Sequence, residues 1–116
     1  MRFGINTFLF TSPFTNESTK LFKTFKKWGF ASIEIPIEDP SHIDPQHVKR
    51  ELDRHGLVCG SVCACMGPDR DLRGTPEQQQ TGLDYMKRVI DQMVPLVCHC
   101  CLYSSGGTAS ARPTAE

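Results

Sequence analysis

Cysteines and histidines are the side chains in this sequence with the widest chemical reach. Cys59, Cys63 and Cys65 crowd the run LVCGSVCAC, and Cys98, His99, Cys100 and Cys101 stand side by side further on. Thiolate and imidazole are the ligands that zinc prefers, while thiols also form disulfides or fill apolar interiors. The first run has the form C-x3-C-x-C, which is not a usual zinc-ligand spacing, and an extended strand spreads such ligands too far for one compact tetrahedral centre. All three numbers are odd, so one face of a strand should carry all three thiols. We read them as packing. In the second cluster, adjacent ligands strain a single centre and no further pair follows at the usual distance. It reads as a fourth strand that begins and then fails, with a metal site as the alternative.

Glu34 is the other conspicuous group, a carboxylate inside the apolar run SIEIPI. Burying it is costly unless it is paired or faces a polar cavity. It is therefore either a structural carboxylate bonded to a neighbouring strand or part of a site. His42, His47 and His55 lack a second ligand of the right type one helical turn away, so a metal role is not expected of them. The chain has no G-x-G-x-x-G, no P-loop and no G-x-S-x-G.

The elements that must position these groups follow from periodicity. RFGINTF is a short apolar strand. From Asn16 or Glu17 to Trp28, the residues Leu21, Phe22, Phe25 and Trp28 recur at helical spacing, and Gly29 offers a stop. ASIEIPI is a second strand. Asp44 caps a second helix with Pro45 in its first position, Val48 and Leu52 face inward, and Gly56 closes it. LVCGSVCAC is the third strand. Thr75 to Gln78 form a capping box for a third helix. That helix should bury Leu83, Met86, Ile90, Met93 and Val97, and Pro95 should kink or end it. Strands joined by helices are most simply parallel with right-handed crossovers. The fold class is α/β, an incomplete (β/α)8 barrel of about three βα units over residues 1–97, with 98–116 an aberrant or disordered tail.

Thirteen basic and thirteen acidic side chains cancel, so nothing suggests nucleic acid as a partner. Lys23, Lys26 and Lys27 read as the solvated face of the first helix. No apolar run approaches the ~20 residues needed to cross a bilayer. The N-terminus lacks an export pattern, which predicts a cytoplasmic protein with free thiols. A complete barrel needs eight units and typically about 250 residues, so the sequence reads as the opening portion of a longer protein.

In parallel sheets and barrels, ligands meet the carboxyl ends of the strands. That rule selects Asn6, Thr7 and Phe8; Glu34, Glu38 and Asp39; and Cys65, Gly67, Pro68, Arg70, Asp71 and Arg73. Gly67 either lets a backbone approach a ligand or simply turns the chain. Phe14 either lines an apolar wall or packs on the first helix.

The stretches MRFGINTFLFTSPF, WGFASIEIPIEDP, HGLVCGSVCACMGPDRDLRG and GTPEQQQTGLDYMKRVIDQM resemble the sugar phosphate isomerase/epimerase family with a xylose-isomerase-like barrel. The likeness is narrowest to the ketose 3-epimerases acting on D-tagatose and D-psicose (D-allulose), and it runs from Met1 to about Met93. The resemblance implies a ketose substrate and a divalent cation, manganese, cobalt or magnesium, held by two glutamates, an aspartate and a histidine. It implies that the glutamates move the C3 proton through an enediolate. It places all four ligands on later strands, so no metal ligand and no catalytic residue is assigned here. What it carries over is a substrate-facing wall of Asn6, Phe14, Cys65 and Gly67, to which the sequence adds Glu34. Asn6 stands where relatives often have an aromatic residue, which bears on sugar preference. Past Met93 only LYSS keeps the likeness, as a coding-frame change or early stop would leave it. The chain alone is therefore expected to be inactive. Two rival expectations are a small cysteine-rich zinc- or redox-binding protein, and a non-catalytic interaction partner that caps an open sheet edge on another subunit; a homo-oligomer is a further expectation.

Overall fold

The computed structural model describes residues 1–104. The expected disordered tail beyond Ser104 lies outside the described residues. Four strands, β1 (Gly4–Asn6), β2 (Ser32–Ile37), β3 (Val58–Cys65) and β4 (Cys101–Ser104), form one sheet in the order β1-β2-β3-β4. Every pairing is parallel. The helices α1 (Phe22–Lys27), α2 (Pro45–Arg54) and α3 (Pro76–Leu96) connect them. This is the α/β alternation that the periodicity predicts, with one strand more than the three expected units. β4 pairs from Val62–Cys101 to Cys65–Ser104, so part of the segment read as an aberrant tail continues the sheet.

The local signals act where the sequence places them. Asp44 Oδ1 accepts the Gln46 amide at 3.0 Å and starts α2 behind Pro45. Thr75 and Gln78 exchange side-chain and backbone hydrogen bonds at the start of α3. Gly29 and Gly56 end their helices at φ +93° and +66°, a region where a side chain would be strained. The first helix differs from expectation. Asn16–Leu21 is a 3-10 helix, and α geometry starts only at Phe22. Ser18 and Thr19 sit in that turn, and Thr19 Oγ1 donates to the Asn16 carbonyl at 2.8 Å. Such hydroxyls compete with the helical ladder.

One side of the sheet packs on the helices. Ile33, Ile35 and Ile37 of β2 meet Phe22 and Phe25 of α1, Val48 and Leu52 of α2, and Val89 and Leu96 of α3 in a single core, each 2% exposed or less. The buried stripe of α3 is not the expected one. Tyr85, Val89, Met93 and Leu96 face inward, while Leu83, Ile90 and Val97 are exposed and Met86 is half-covered. Two apolar stripes overlap on this helix, and Gly82 decides between them. A Cβ there would stand 2.8 Å from both the Arg70 carbonyl and Leu72 Cδ2. Only the face without a side chain admits the Pro68–Arg70 turn. Pro95 lies in the last turn of α3, which ends at Leu96 with Val97 in the left-handed region at φ 54°.

The register corrects a second expectation. Between Ile33 and Glu34 the pairing with β3 slips by one residue, from Ile33–Cys59 to Glu34–Ser61. Gly60 is the extra residue, and a Cβ on it would press Ser32 at 3.2 Å. A bulge of this kind reverses the alternation of faces beyond it. Cys59 therefore joins the core with Val62 and Ala64, 8% exposed, whereas Cys63 and Cys65 line a cavity on the opposite face. The three thiols do not share a side. No described helix is long and apolar enough to cross a membrane.

Candidate functional site

A cavity of ≈ 500 Å³ opens at the carboxyl ends of β1, β2 and β3, lined by Asn6, Phe8, Glu38, Cys63, Cys65, Met66 and Arg70. Its size suits a small molecule. Below it, along the same face, a second cavity of ≈ 460 Å³ includes Gly4, Asn6, Ser32, Glu34, Gly60 and Ser61 among its walls. Asn6 borders both. Its Oδ1 accepts the Phe8 amide at 2.8 Å and starts the Thr7–Leu9 turn, which leaves its amide group toward the cavities as a donor.

Glu34 is held by both neighbouring elements. Ser61 Oγ donates to its carboxylate at 2.6 Å, and Thr7 Oγ1 donates to its carbonyl at 2.7 Å. Its two sequence readings meet in one residue, which is bonded to the next strand and also faces a polar cavity. The bulge at Gly60 makes this contact, because it brings Ser61 opposite Glu34.

Cys65 lies on the wall of the first cavity. Burial, followed by the neighbouring Cys63 and Glu38, pushes its thiol up to about 12 against the pull of Arg70. At neutral pH the group is a thiol, a soft wall and weak donor, and not a nucleophile. Cys59 is raised in the same direction by burial and by Cys98. None of the six cysteines, all among the described residues, is in a disulfide.

Two expected wall residues lie elsewhere. Phe14 is 1% exposed and stacks on Phe22 with centroids 6.4 Å apart. Its packing alternative describes its place, and it lines neither cavity. Gly67 precedes the Pro68–Arg70 turn in extended conformation at φ −134° and also lines neither cavity. It is a turn residue with Asp69 Oδ1 3.0 Å from where a Cβ would stand.

Tyr85 went unnoticed in the sequence, yet it organises the site. Its hydroxyl donates to the Ile37 carbonyl and accepts the Cys65 amide at 2.7 Å, joining the ends of β2 and β3. Its ring carries the Arg70 guanidinium, 4.0 Å from the centroid. Arg70 Nη2 in turn donates to the Glu38 carbonyl at 2.9 Å. Gln78 Nε2 holds the Pro68 carbonyl at 2.9 Å. One α3 face thus fixes a cation at the cavity wall. The signal was a tyrosine one helical turn before Val89, hidden by the competing stripe. We expect Gly82→Ala to lower the urea midpoint by the equivalent of about 1–3 kcal/mol, because its methyl must displace the Arg70 backbone. An unchanged midpoint would show that this turn is not held on α3.

Among the described residues, no three His, Cys, Asp or Glu side chains are grouped to hold a metal ion. The carboxylates near the strand ends have other partners. Ser61 donates to Glu34, Ser12 Oγ donates to Glu38 at 2.8 Å, and the Ser41 amide and hydroxyl donate to Asp39. Cys98 is buried and Cys100 exposed, so the cysteine–histidine run does not converge on one point.

No family model matches the chain. A probable ketose 3-epimerase from Synechocystis sp. (strain ATCC 27184 / PCC 6803 / Kazusa) is 27% identical over 93 residues, which are 78% of this chain and 31% of that protein. The chain thus spans about a third of the length of the curated relative it matches. Among solved structures, D-allulose 3-epimerase from Methylomonas sp. in complex with D-allulose superposes with a TM-score of 0.79 at 18% identity, over 89% of this chain and 36% of the other. D-psicose 3-epimerase in the presence of D-fructose gives 0.80 at 14% identity, over 99% and 42%. L-ribulose 3-epimerase gives 0.74 at 19% identity, over 90% and 35%. The fold matches part of the TIM-barrel-like fold of these solved structures, and the sequence is similar to that of a probable ketose 3-epimerase.

Proposed function

We propose that this chain forms the opening part of a ketose 3-epimerase-type barrel and supplies one wall of its sugar site. The observation that carries the reading is the ≈ 500 Å³ cavity at the carboxyl ends of β1 to β3, on a fold that superposes on epimerases. Ligands in such folds sit at that end. The wall offers the mixture that a polyhydroxylated ketose needs: the Asn6 amide, the Glu38 carboxylate, the Arg70 guanidinium, and the soft apolar flank of Phe8, Cys65 and Met66. Glu34 extends the polar lining beneath it.

Relatives of this type use a divalent cation to polarise the oxygens beside the carbon that loses its proton. The residues described here do not fit that ion, since their carboxylates are dispersed and engaged with serines. We therefore assign binding and orientation to this chain and no proton transfer. In this reading the catalytic carboxylates and metal ligands belong to barrel strands that this sequence does not supply, and the chain is a fragment that is inactive alone. Raised thiols and cysteines outside any disulfide suit the reducing cytoplasm.

The test has two arms. Incubated with manganese and D-fructose or D-tagatose, the chain should give no conversion above background. Ligand-observed NMR should nevertheless detect weak D-allulose binding, lost on Asn6→Ala. Turnover would refute the assignment of chemistry to other strands, and absence of binding would refute the sugar wall.

A further inference from the structure

The sheet has two edges that are unpaired among the described residues, β1 on one side and β4 on the other. Both edge strands are short, three and four residues, but neither carries a charged residue or a proline. β1 reads GIN and β4 reads CLYS. The sheet face opposite the helices is also uncovered. Val58 and Leu102 lie on it, 59% and 46% exposed, by their pairing with Ser32 and Cys63.

The edges of a parallel sheet are not equivalent, so whatever closes this one must present a β1-like edge to β4 and a β4-like edge to β1. A second copy does both at once through a single two-fold axis along the strands. The count also closes. Four consecutive parallel strands from each copy make eight, the number in a parallel α/β barrel. The superposition on epimerases shows that the four strands already carry that architecture. Two-fold symmetry is the commonest solution for identical chains.

Extending the barrel reading above, we propose that two copies of this 116-residue chain pair β4 with β1 at both seams and close an eight-stranded ring. The uncovered face becomes its interior. Each copy then presents its Asn6–Cys65 wall to the other across one shared mouth.

Light scattering and native mass spectrometry test this directly. The expected result is a species of twice the 13.0 kDa chain mass at micromolar concentrations. Val58→Lys and Leu102→Lys place a charge where the single chain is already exposed, so both should keep the circular dichroism spectrum. Buried inside a ring, the same charge should weaken self-association by at least about 100-fold. Ile90→Lys, on the exposed stripe of α3, should leave the mass unchanged. A single-chain mass for the unmodified protein would overturn the proposal. So would a dimer that survives both sheet substitutions, or one broken by Ile90→Lys. D-allulose binding, measured separately, reports on the sugar wall, so either idea can fail without the other.

Discussion

Tyr85→Phe is expected to destabilise the fold by about 2–4 kcal/mol, because it removes one hydroxyl that serves two buried backbone groups. The Ile37 carbonyl loses its donor and the Cys65 amide loses its acceptor. Neither gains water easily, since Tyr85 itself is 4% exposed. The substitution keeps the ring, and with it the stacking of Arg70. The loss therefore reports the hydrogen bonds and not the packing. At about 4–8 °C per kcal/mol for a domain of this size, the change should be plain in a thermal melt. It should also loosen the ends of β2 and β3, and so weaken D-allulose binding. A melting shift under one such step would show that the hydroxyl is not the tie between the two strands.

Stability should also fall steeply in alkali. Burial raises Cys65 from 9.0 and Tyr85 from 10.0, each to about 12, and raises Cys59 and Cys101 in the same direction. Each group is an acid that holds its proton longer in the folded chain than in the unfolded one. The native state therefore binds more protons above pH 9, and stability decreases with rising pH where that is so. The contribution is complete below pH 9 and is lost progressively toward pH 12. Urea midpoints measured from pH 7 to 11 should be flat at first and then drop. Cys65→Ala should make the drop shallower without moving the neutral plateau much. A midpoint that stays level to pH 11 would contradict the burial of these groups.

Much of the scaffold was legible because short-range chemistry decided it. Alternation of β-branched and helical runs announced the βα order. Asp44, Thr75, Gly29 and Gly56 act through contacts within a few residues, which a sequence displays directly. The misreadings share one physical origin, a choice settled by a distant contact. On α3 the buried face was selected by Gly82, through a turn that precedes the helix. On β3 the facing of the thiols was reversed by a slip against β2. The fourth strand gains its place from pairing with Val62 to Cys65, although its own residues carry little strand signal. The rule that ligands meet the carboxyl ends of strands selected Asn6 and Cys65, which line the first cavity, and Glu34, which lines the second from within β2. Gly67 satisfied the same rule but went to a turn, and Phe14, expected on the wall from the family resemblance, went to the core. Tyr85 could not be found that way, because it reaches the strand ends from a helix.

The slip at Gly60 has a further consequence for what this surface can become. With an unbroken alternation, Val62 and Ala64 would look into the cavity and Cys63 and Cys65 would press on the helices. The sulfur-rich lining is thus inherited from a position that has no side chain of its own. Deleting residue 60 would straighten the strand and leave this lining in place, whereas keeping it but pairing it regularly would exchange a polarizable pocket for a greasy one with no lining residue substituted.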